Sequence, residues 1–159
     1  MGVDAYFSEW FPDQKLNINN FYIDDPDWNH NSIEAAFGTF KKFNIKVEYL
    51  INKLFNGDVP EEEYFSEHYP NDWGGRLTLE ELKELYELLE RIINYRTFKE
   101  RYLFMVGDNH YPYLSINYSS QGEYLELRED NIENFPKFIL DFLNLCIKNN
   151  SGLKYRVSY

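Results

Sequence analysis

The chain has 159 residues, with 16 Lys+Arg against 27 Asp+Glu and a formal net charge of −11. Its single cysteine, Cys146, excludes a disulfide framework and any cysteine-based zinc site. The acidic balance argues against direct binding to nucleic acid or to an anionic membrane surface, because phosphates repel it.

A chain of this length fits one domain and can bury about 70% of its unfolded surface without staples. Aromatics make up 19% of it, as 14 Tyr, 13 Phe and 3 Trp, which excludes a disordered acidic tail. No apolar run reaches the roughly 18 residues of a membrane span. The start, Met1-Gly2-Val3-Asp4, lacks the basic region of a signal peptide. The expected location is cytoplasmic.

Residues 3–10 read as a strand, and Pro12-Asp13 as the turn that follows. Phe21-Tyr22-Ile23 reads as a second short strand. A helix is expected from Asn31, capped by that side chain with Glu34 reaching back. Phe37, Phe40, Val47, Leu50, Ile51 and Leu54 form its apolar stripe. Asn44 interrupts the stripe, so a break is expected near Phe43–Ile45, and Gly57 is the stop. Trp73-Gly74-Gly75-Arg76 reads as a plain turn.

The second helix opens on a capping box, Thr78 with Glu81. Leu82, Leu85, Tyr86, Leu89, Ile92 and Ile93 share one face, and Glu80, Glu84, Glu87 and Glu90 face away. Glu87 and Arg91 are spaced for an i,i+4 pair, and the helix can run on toward Arg101. Residues 111–128 read as a hairpin. A third helix is expected near Asn134, with Pro136 in its first turn and Phe135, Phe138, Ile139, Phe142 and Cys146 buried. Gly152 is read as its end and Tyr155–Tyr159 as a closing strand. Without a βαβ rhythm, the pattern predicts a single α+β domain over residues 1–159. Its antiparallel sheet has about four short strands, with three main helices packed on one face.

No catalytic signature is present. His30, His68 and His110 each have an acid within three residues, at Asp27, Glu67 and Asp108. They fall in separate loops without ligand spacing, so no metal site is expected. Asp25-Pro26-Asp27 begins like a calcium loop, but His30 stands where Gly belongs and Ala36 where Glu belongs. There is no nucleophile elbow and no phosphate-cradling glycine loop. No catalytic residue and no cofactor are assigned, and the chain is not expected to be an enzyme.

Charge is the informative feature. Residues 58–90 hold 2 basic and 11 acidic residues, net −9, whereas residues 1–57 are net −3 and residues 91–159 net +1. The acidic segment is also aromatic. Large aromatics anchor binding hot spots, and carboxylates steer a basic partner. The expected partner-binding residues are Glu61, Glu62, Glu63, Tyr64, Glu67, Tyr69, Asp72 and Trp73, continued by Glu80, Glu84 and Glu87. A solvated helix face beside an aromatic loop pinned into the core gives the same composition.

Bacterial immunity proteins that pair with nuclease toxins are similar in size and charge. That likeness is of class only and transfers no residues. It implies a protein that occludes a basic toxin or effector domain by protein–protein contact. A phage-type inhibitor that mimics nucleic acid and a small carboxylate- or metal-dependent enzyme are the alternatives. A mimic is expected to spread its acids in long rows, and here they concentrate in one segment.

Overall fold

A computed structural model describes residues 4–12, 20–24, 30–57, 73–95, 98, 100–102, 114–120, 123–129 and 132–158. In chain order the strands and helices are β1 (Asp4–Trp10), β2 (Asn20–Asp24), α1 (His30–Gly38), α2 (Ile45–Asn56), β3 (Trp73–Leu77) and α3 (Leu79–Ile93). They continue with β4 (Leu114–Ser120), β5 (Glu123–Glu129), α4 (Phe135–Lys148) and β6 (Gly152–Ser158). The fold is α+β, as expected.

Among the described residues the sheet has six strands in the order β3-β6-β1-β2-β4-β5, all antiparallel, rather than about four. The unforeseen strand is β3, at the glycine pair read as a turn. Those glycines answer to packing. A Cβ at Gly75 would lie 2.0 Å from the Lys53 carbonyl oxygen and 2.7 Å from that of Leu54. A Cβ at Gly57 would lie 2.3 Å from the same Lys53 oxygen. The last turn of α2 is thus seated on bare backbone, the close approach that glycine permits inside a strand.

β6 closes the chain as expected, but inside the sheet. It lies between β3 and β1, and Leu153, Tyr155 and Val157 are fully buried. Phe7 is the hub of the layer interface. Its ring centroid lies 5.0 Å from Phe142 of α4, 5.0 Å from Tyr155 of β6 and 6.1 Å from Phe55 of α2. Strand alternation turns Phe7, Leu77, Leu153 and Tyr155 toward the helices, and Tyr6, Ser8, Trp10, Arg76, Lys154 and Arg156 to the other face.

The break in the first helical stripe falls where Asn44 stands. Its Oδ1 accepts from the Lys46 and Val47 amides at 2.8 and 3.2 Å, so the side chain that ends one stripe starts α2. Helix α3 does not continue unbroken to Arg101. It ends at Ile93 with Asn94 as the C-cap, and Phe98 then stacks between Phe40 and Tyr102. Helix α4 ends before Gly152. Asn150 takes the left-handed conformation (φ 54°), while the Ser151 amide donates to the Cys146 carbonyl and the Asn150 amide to that of Ile147. This is a Schellman closure with Asn in the glycine place. Among the described residues, no helix is long and apolar enough to cross a membrane.

Candidate functional site

Helix α3 carries the described part of the acidic segment. Leu82, Leu85, Leu89 and Ile92 are buried, which fixes the rotation of the helix and turns Glu80, Glu84, Glu87 and Glu90 to solvent. The capping box closes as its spacing predicts. The Glu81 amide donates to Thr78 Oγ1 and the Thr78 amide to Glu81 Oε1, both at 3.1 Å. The helix therefore presents its carboxylates from a rigid, well-terminated element.

The outward acids differ in their neighbours. Glu80 is wide open, with its side chain 84% exposed and Lys83 at 4.0 Å. Glu84 is 49% exposed and lies 3.9 Å from Lys46 of α2, so part of its charge is spent within the molecule. Glu90 stands beside Tyr86, whose hydroxyl is pushed up by burial and by the neighbouring carboxylates of Glu90 and Asp141. Glu87 is exposed and forms no ion pair with Arg91. The entropy of two long exposed side chains opposes the small gain of such a pair.

Glu81 is the structural acid of this helix. Burial works to raise its carboxyl. The Lys53 ammonium and the Thr78 amide outweigh that and hold it below its ordinary value.

Of the expected binding residues, Glu61, Glu62, Glu63, Tyr64, Glu67, Tyr69 and Asp72 lie outside the described residues. Trp73 is the first residue of β3 and pairs with Val157. Glu80, Glu84 and Glu87 are brought together on the solvent side of α3. His68 and His110 are likewise outside the described residues, and among the described ones no cluster of three His, Cys, Asp or Glu could hold a metal ion. Cys146 is fully buried. Burial first, and then the nearby Glu9 carboxylate, push its thiol far above the ordinary range, so it is an inert core residue.

A cavity of about 410 Å³ opens beside the first turn of α3. Trp10, Phe11, Pro12 and Leu79 supply its apolar walls, and Glu80 and Asn150 also line it. It forms where the end of β1, the start of β6, the turn after α4 and the start of α3 converge. Sequence periodicity did not signal it, because its walls come from four separate places in the chain. The nearest local signal is the Trp10-Phe11 pair running into Pro12, which ends a strand with two aromatics and a turn residue.

Comparison with known protein families, curated proteins and solved structures finds no match to this chain, so its function has to be read from this geometry and charge.

Proposed function

We propose that this chain is a small acidic binding protein of the immunity type, which neutralises a basic toxin or effector domain by covering it. The carrying observation is the solvent face of α3. Glu80, Glu84 and Glu87 stand on one side of a helix whose opposite side is locked into the core. The backbone that carries these carboxylates is already ordered, so association with Lys and Arg of a partner has to order only the side chains. The net −9 of residues 58–90 extends the same sign along the chain and favours fast, steered encounter. The mechanism is occlusion by shape and charge, with no bond made or broken.

The test is to co-express the chain with the product of the adjacent gene and to titrate the purified pair at several salt concentrations. Affinity should fall as salt rises. The double reversal Glu84→Lys with Glu87→Lys should weaken binding by roughly tenfold or more, since each reversal replaces an attraction by a repulsion. Both sites are exposed, so folding should be preserved. An affinity that ignores both salt and the double reversal would sink the reading.

A further inference from the structure

We infer that the groove between Trp10 and the first turn of α3 is the socket for a lysine or arginine side chain of the basic partner. This rests on the reading of α3 as the partner-facing surface and adds a specific anchor to it.

The walls and the rim ask for different chemistry, and a long cationic side chain supplies both. Trp10, Phe11, Pro12 and Leu79 offer apolar surface to a methylene stem. Glu80, with its side chain 84% exposed, offers a carboxylate to the charged head. The cavity, about 410 Å³, admits one such side chain together with its flanking backbone.

The Trp10 ring already accepts a cation from within the chain. The Arg76 guanidinium carbon lies 4.8 Å from the Trp10 ring centroid. The ring is also held from the side of Gly152, where an added Cβ would stand 3.2 Å from Trp10 Cε3. Trp10 is thus held on two sides before any ligand arrives, which lowers the cost of ordering it.

First-turn amides are partially positive and by themselves favour an anion. Here that field is answered internally. Thr78 and Glu81 close the capping box, and both Glu80 and Glu81 sit in the first turn. An incoming carboxylate or phosphate would face the Glu80 carboxylate on the rim, whereas an ammonium or guanidinium is attracted by it.

The test uses the full chain, labelled with ¹⁵N, and two probes of matched shape. Nα-acetyl-arginine amide is charged, and Nα-acetyl-citrulline amide is its neutral isostere. The arginine probe should give saturable shifts at the Trp10 indole N–H and at the Leu79 and Gly152 amides. It should bind about two- to threefold more tightly than the citrulline probe, as one exposed ion pair implies. Glu80→Gln should erase that preference, and Trp10→Leu should weaken both probes. Glu80 is exposed, so its variant remains informative if Trp10→Leu lowers stability. No saturable shift, or equal affinity for the two probes, overturns the inference. Glu84 and Glu87 do not line the groove, so their double reversal should leave the titration unchanged. A partner that loses affinity on that reversal but not on Glu80→Gln or Trp10→Leu overturns the socket while the acidic-face reading stands. A partner indifferent to the reversal overturns that reading, and the arginine–citrulline comparison then decides the groove alone.

Discussion

Glu81 shows what a single side chain does when its neighbours are fixed. Its carboxylate caps the start of α3 and at the same time pairs with Lys53 of α2. Its folded value lies below the ordinary 4.5, so the folded state binds that proton less readily than the unfolded chain. The stability it contributes is therefore fully present above about pH 4.5 and is lost as pH falls through the lower, folded value. Glu81→Gln should flatten the loss of stability with acid over that window, read as Tm against pH between the variant and the parent. Identical slopes would show that the pairing contributes nothing. The capping role was legible from Thr-x-x-Glu alone. The pairing with Lys53 was not, because it joins residues 28 positions apart.

At the scale of elements, glycines separate local propensity from packing. Gly75 is in a strand because the end of α2 rests on its bare Cα, with the Lys53 oxygen 2.0 Å from where a Cβ would be. Gly38, at the end of α1, has nothing within 4 Å of that place. Gly75→Ala should therefore lower stability by about 2–3 kcal/mol through forced displacement of α2. Gly38→Ala should instead raise it by up to about 1 kcal/mol through helix propensity. Urea unfolding of both variants checks this, and similar effects at the two sites would contradict it. The helices were largely readable, since Asn44, Thr78 and the apolar stripes are local signals with a local mechanism. Strand β3 was not, since two consecutive glycines look the same in a turn and beneath a closely packed helix.

Across the molecule, aromatic rings tie the layers together. Phe7 meets Phe37 of α1, Phe55 of α2, Phe142 of α4 and Tyr155 of β6, at centroid distances of 6.3, 6.1, 5.0 and 5.0 Å. Phe7→Ala should cost about 4 kcal/mol, because the cavity it leaves touches the sheet and three helices that cannot all collapse into it. Tyr49 is 53% exposed, with Lys46 over its ring at 5.0 Å, and Tyr49→Ala should change stability by no more than about 0.5 kcal/mol. Denaturant unfolding with two spectroscopic probes measures both. A Phe7 variant as stable as the Tyr49 variant would remove Phe7 from its place at the hub.

The sequence by itself determined the α+β class, the capped helices and the outward row of Glu80, Glu84 and Glu87. Each of these follows from periodicity or from contacts a few residues apart. It also showed that the charge of −11 is concentrated in one segment. The tertiary structure decided the six-stranded order, the inner position of β6, the Lys46–Glu84 and Lys53–Glu81 pairs, and the groove at Trp10. These depend on which distant segments meet, and burial of the whole core selects that meeting. No local window of sequence contains the apolar area that Phe7, Phe142 and Tyr155 remove from water only together.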